Sequence, residues 1–119
     1  VRRCVAAWSA AGTLELNALV PHERANAVTT ILADPRVDPD RLRRMACREF
    51  AISLGAGLGD LQGRAFRIGH LGDLNATTIL GVLAGIEAAL RRCGVAHGTG
   101  GLDAAIAWIA QTAADPDEP

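Results

Sequence analysis

The longest regular pattern in the sequence is an apolar stripe between residues 79 and 90. Its members recur at helical spacing and are Ile79, Val82, Leu83, Ile86 and Leu90. This spacing predicts a long amphipathic helix, because residues at such intervals lie on one face of an α-helix. Asp73 or Asn75 is suited to cap the start of this helix, and Gly94 is suited to end it after Cys93.

Four short segments have the pattern of β-strands. Residues 13–19 alternate apolar and polar side chains, and residues 25–33 are rich in β-branched residues. A short strand is expected to begin at residue 51 and to pass into a glycine-rich loop. Residues 64–70 form a further predicted strand.

Three more helices are predicted around these strands. The first has apolar residues at helical spacing from Val1 to Trp8, and Asp38 followed by Pro39 is typical of a helix start. The last helix is expected to bury Leu102, Ala105, Ile106 and Ile109. The order is helix, two strands, helix, two strands, helix, helix, which predicts an α+β fold with a small antiparallel sheet and helices packed on one face. We expect residues 1–114 to form one domain and residues 115–119 an acidic tail.

Composition excludes several classes of function. The net charge is −1 and aromatic residues are scarce, which argues against a nucleic-acid or membrane partner. All 12 basic residues are arginine, so no lysine side chain is available for Schiff-base chemistry. Three widely spaced cysteines fit reduced thiols and a cytoplasmic location. The chain starts with Val1 and not methionine, which suggests a piece of a longer chain or a processed product.

One arginine interrupts a short apolar run, "GRAFRIGHLG", from residue 63 to 72. Side chains alternate along a strand, so Phe66 and Ile68 are expected to face the core while Arg67 faces the other way. The same-face neighbours Ala65 and Gly69 are small and leave space beside the guanidinium. Its planar fork is suited to a carboxylate or phosphate, although an arginine on a solvated sheet face has the same pattern.

The sequence resembles a known family in three connected segments, "SLGAGLGDLQGRAFRIGHLGDLN", "GVLAGIEAALRRCGV" and "HGTGGLDAAI". They look like the C-terminal domain of class V pyridoxal-phosphate aminotransferases of the serine–glyoxylate and alanine–glyoxylate group. The resemblance implies that Arg67 binds the α-carboxylate of amino-acid and 2-oxo-acid substrates. It also implies pyridoxal phosphate as cofactor, a homodimer, and an N-terminal cofactor domain that supplies the Schiff-base lysine. Without that lysine this chain is expected to be inactive alone.

Other candidate residues in the sequence give weaker indications. The resemblance places Gly57 and Gly59 in a loop near the substrate pocket, but a purely structural turn explains these glycines equally well. His70 follows the arginine strand and is a possible member of the same pocket. No catalytic residue and no metal ligands are predicted within the chain. The alternative function is a free-standing α+β module that binds a ligand or holds subunits together without catalysis.

Overall fold

The computed structural model describes residues 1–17, 28–69 and 75–112. Its main elements are α1 (Arg2–Trp8), β1 (Leu14–Leu16), β2 (Val28–Ala33), α2 (Pro39–Phe50), β3 (Gly55–Ala56), β4 (Ala65–Gly69), α3 (Ala76–Arg92) and α4 (Gly101–Thr112). Short 3₁₀ turns follow α1 at Ser9–Ala11 and β3 at Gly59–Leu61. This is the predicted order of helices and strands, and the predicted α+β class is confirmed.

The four strands form one antiparallel sheet in the order β1-β2-β4-β3. The strands β2 and β4 are therefore interior, and each has a hydrogen-bonded neighbour on both sides. In the register Ile31 of β2 lies opposite Leu16 of β1 and Phe66 of β4. These three residues are buried, because this face of the sheet packs against the helices.

The core is built mainly from aliphatic residues around two large aromatic side chains. Trp8 of α1 and Phe66 of β4 are fully buried, together with Leu83, Ile86 and Leu90 of the predicted α3 stripe. Burial of each of these side chains contributes about 1.5–3 kcal/mol to folding. The predicted stripe of α3 therefore faces the core as expected.

Short polar signals set the helix ends. The Asp38 carboxylate accepts hydrogen bonds from the backbone N–H groups of Asp40 and Arg41 at 3.0 and 3.1 Å, and Pro39 is the first helical residue of α2. At α3 the cap is Asn75, whose side-chain oxygen accepts from the Thr78 N–H at 2.8 Å. Asp73, the other residue considered for this cap, lies outside the described residues.

Two expectations about β-strand length and position are corrected. The strand expected to begin at residue 51 is β3, which begins at Gly55. Residue 51 instead ends α2 in the left-handed conformation, with a φ of 53° at Ala51, and Ile52 turns back to pack beside Gly85 of α3. Of the alternating segment 13–19, the structure shows a strand only over Leu14–Leu16, while residues 18 and 19 lie outside the described residues.

One predicted core residue of α4 is also corrected. Ala105 is buried, but the Ile106 side chain is half exposed. The helix packs against α1 through a face on which Gly101 comes close to Cys4 and Trp8. Ile106 lies beside this face and is left at the surface.

Candidate functional site

Arg67 occupies the middle of β4, and the register places one residue on each side of it. Thr30 of β2 is its partner on one side and Gly55 of β3 its partner on the other. The flanking residues Phe66 and Ile68 are buried, as the alternation predicts, whereas the Arg67 side chain is half-buried. Arg67 therefore belongs to the sheet face opposite the helices, and it is held on an interior strand.

The Arg67 guanidinium is anchored at one atom. Its Nε donates a hydrogen bond of 2.8 Å to the backbone carbonyl of Ala56. Within residues 1–17, 28–69 and 75–112, no carboxylate oxygen lies within 4.0 Å of the guanidinium, and neither Nη atom donates a hydrogen bond. An arginine carries five N–H donors, so the four on its Nη atoms remain available to an anion from outside this part of the chain.

Gly55, which is not among the residues predicted from the sequence, lies against this arginine. A β-carbon on residue 55 would lie 3.0 Å from both Nε and Nη2 of Arg67 and 3.1 Å from its Cζ. The guanidinium thus rests against the Gly55 backbone. No local motif signals this contact, because it depends on the pairing of β3 with β4 across a loop.

The structure gives the two predicted loop glycines separate structural roles. Gly57 is buried, and a β-carbon there would lie only 2.0 Å from the carbonyl oxygen of Leu61. Gly59 is exposed and has a φ of +56°, a backbone conformation that glycine adopts without strain. The third residue of the predicted loop, His70, lies outside the described residues. A pocket role for all three residues stays a prediction.

Asp34, Glu87 and Cys4 are ionisable groups that interact within the chain or are buried in it. Asp34 accepts hydrogen bonds from Arg36, and these bonds lower the pKa of its carboxyl group. Glu87 of α3 accepts a 3.4 Å hydrogen bond from Trp8 Nε1. Burial raises the pKa of the Cys4 thiol to about 12, which keeps this cysteine protonated at neutral pH. These groups support the fold and lie on elements other than β4.

A groove of about 270 Å³ opens beside β1 and the end of β2. Its lining includes Glu15, Asp34 and Arg64, but Arg67 is not among the lining residues. In the part of the chain that the structure describes, no three histidine, cysteine or acidic side chains come together as metal ligands would. No described helix combines the length and apolar character required to cross a membrane.

The chain is similar in sequence and in structure to known aminotransferases. No family model matches the chain. The chain is 42% identical over 94 residues to a serine–glyoxylate aminotransferase of Methylorubrum extorquens, covering 79% of this chain and 22% of that protein. A serine–glyoxylate aminotransferase of Arabidopsis thaliana is 41% identical over 70 residues, with 59% and 18% covered.

The fold is likewise similar to that of a solved enzyme. The ureidoglycine–glyoxylate aminotransferase of Bacillus subtilis superposes with a TM-score of 0.73 at 30% sequence identity, covering 87% of this chain and 27% of that one. The chain spans about a fifth of the length of the two serine–glyoxylate aminotransferases that it matches in sequence. The matched part of those relatives is their C-terminal part.

Proposed function

This chain matches the C-terminal part of serine–glyoxylate aminotransferases within class V of the pyridoxal-phosphate enzymes, and on that premise we propose that it is the substrate-side domain of such an enzyme. In this proposal Arg67 binds the α-carboxylate of amino-acid and 2-oxo-acid substrates. Residues 1–114 form the domain and residues 115–119 an acidic tail. The complete enzyme is a cytoplasmic homodimer in which an N-terminal domain carries the cofactor.

The proposal rests on the hydrogen bonding of the Arg67 guanidinium. It is anchored through Nε to Ala56, while its two Nη atoms have no carboxylate partner among the described residues. A planar fork held at one corner can donate two parallel hydrogen bonds to a carboxylate. Such a pair fixes the rotation of the amino acid as well as its position, and so orients its Cα–H bond.

The residues of this chain do not supply the covalent attachment of pyridoxal phosphate. The cofactor is bound through a lysine amine, and all 12 basic side chains here are arginine. When bound, the cofactor supplies an electron sink for the reacting carbon of the substrate. The contribution of this chain is then to bind and orient the carboxylate, and we expect the chain alone to show no transamination.

The test compares two substrates that differ only at the carboxylate. In the full-length protein, kcat/KM is measured with glyoxylate as acceptor and either L-serine or L-serinamide as donor. We expect Arg67→Gln to lower kcat/KM for L-serine by about 100-fold, the effect of losing roughly 3 kcal/mol from a charge-assisted pair. Arg67→Lys keeps the charge but loses the fork, so we expect an intermediate loss of about tenfold.

A matched control is the exposed Arg64, which lies three residues earlier and outside the predicted site. Arg64→Gln removes the same charge from the protein and should leave kcat/KM for both donors within about twofold of wild type. Equal losses for L-serine and L-serinamide in Arg67→Gln would contradict a carboxylate-binding role. The carboxylate-binding role would also be contradicted if Arg64→Gln and Arg67→Gln lowered kcat/KM for L-serine equally.

A further inference from the structure

Resting on the proposed function, we infer that Gly55 is a positioning residue for the carboxylate-binding Arg67. The absence of a side chain at position 55 determines where the guanidinium lies. Gly55 does not itself contact the substrate in this scheme. It acts through Arg67, by leaving the space that the guanidinium occupies above β3.

Three distances show how closely the two residues are fitted. A β-carbon at position 55 would lie 3.0 Å from Nε, 3.0 Å from Nη2 and 3.1 Å from Cζ of Arg67. These separations are shorter than ordinary contacts between carbon and nitrogen atoms, which lie near ~3.5 Å. All three contacted atoms belong to the guanidinium. Any side chain at position 55 must therefore displace the group that we propose binds substrate.

A second contact restrains the same group from the edge. The hydrogen bond from Nε to the Ala56 carbonyl is 2.8 Å long, and Ala56 directly follows Gly55 in β3. The guanidinium is thus supported beneath by one residue and held at Nε by the next. With these two restraints the Nη atoms have a defined direction before any anion binds, which lowers the cost of ordering the side chain on binding.

A substitution at Gly55 is expected to have a different consequence from a substitution at Gly57. At Gly55 the contacted atoms lie at the far end of a long, flexible side chain, so Arg67 can shift and the strands can stay paired. At Gly57 the contacted atoms are backbone. Gly55→Ala is therefore expected to change substrate binding while leaving cooperative folding intact.

The experiment uses the full-length protein with L-serine and L-serinamide as donors and glyoxylate as acceptor. We expect Gly55→Ala to raise KM for L-serine about five- to tenfold with a smaller change in kcat, since the guanidinium must shift by a few tenths of an ångström and a misplacement of 1 Å costs on the order of 100-fold. Efficiency with L-serinamide should stay within about twofold. Gly81→Ala is the matched control, because its β-carbon would have no neighbour within 4 Å. This variant should leave KM and kcat unchanged for both donors.

A double variant separates positioning from a general structural effect. In an Arg67→Gln background, Gly55→Ala should have no further effect on the preference for L-serine over L-serinamide, because the displaced group is gone. An unchanged KM for L-serine in Gly55→Ala would overturn the inference. An additive effect of the two substitutions in the double variant would also overturn it. The same conclusion follows if Gly55→Ala abolishes the cooperative thermal transition. If instead Arg67→Gln leaves that preference unchanged, the proposed function itself fails.

Discussion

Replacement of Gly57 by alanine tests whether the glycine-rich loop is shaped by its own backbone packing. The added β-carbon would lie 2.0 Å from the Leu61 carbonyl oxygen and 3.2 Å from that of Ala65. Since carbon and oxygen atoms normally approach to ~3.4 Å, the Leu61 carbonyl would have to retreat by roughly 1.4 Å. That movement strains the 3₁₀ turn at Gly59–Leu61 and the 3.1 Å hydrogen bond from the Gly57 N–H to Ala65.

The expected cost follows from these contacts. Overpacking of a tight site costs about 1–3 kcal/mol, and weakening of one backbone hydrogen bond adds about 1 kcal/mol. Lower entropy of the unfolded chain offsets about 0.5–1 kcal/mol. We therefore expect Gly57→Ala to lower the free energy of unfolding by about 1–3.5 kcal/mol.

Urea unfolding followed by tryptophan fluorescence measures this change, because Trp8 is fully buried and reports on the core. Gly81→Ala is the control, since it makes the same substitution on an exposed helical surface with no neighbour within 4 Å. It should raise the free energy of unfolding by up to about 1 kcal/mol. A Gly57→Ala protein within about 0.5 kcal/mol of wild type would refute the packing argument.

Three further predictions concern the stability of the chain and use the same unfolding measurement. Ala51→Gly should raise the free energy of unfolding by about 0.5–1 kcal/mol, since Ala51 has a φ of 53°; a decrease would contradict strain at this position. Asp38→Ala should lower it by about 1 kcal/mol through loss of the α2 cap, whereas Asp38→Asn should retain most of the stability. Because burial raises the pKa of Cys4 from 9.0 to about 12, only the unfolded state loses this proton just above pH 9. Stability should therefore fall as the pH rises from 9 toward 12, and an equally steep fall in Cys4→Ala would show that another group is responsible.

Features that depend on neighbouring residues could be predicted from the sequence. The Asp38–Pro39 pair starts α2, and the polar cap at Asn75 starts α3, because both signals act within one helical turn. The alternation around Arg67 also sufficed to place Phe66 and Ile68 in the core. These elements follow from local chemistry, which is fully present in the linear chain.

Features that depend on distant pairing could not be predicted in this way. The contact between Gly55 and Arg67 arises from the β3–β4 register, whereas the family resemblance pointed to Gly57 and Gly59. Likewise Ile106 has the spacing of a core residue, but the close approach of Gly101 to α1 determines which face of α4 is covered. Such choices are made by tertiary packing.

The interior position of β4 has a consequence for motion. The backbone amides of β4 point either to β2 or to β3, so hydrogen exchange around Arg67 should require local opening of the ladder on the side to which each amide points. The side chain of Arg67 can adjust locally, but its Cα can travel only if the whole sheet travels with it. In the proposed enzyme, any opening and closing of the substrate cleft would then carry this arginine as part of a rigid body.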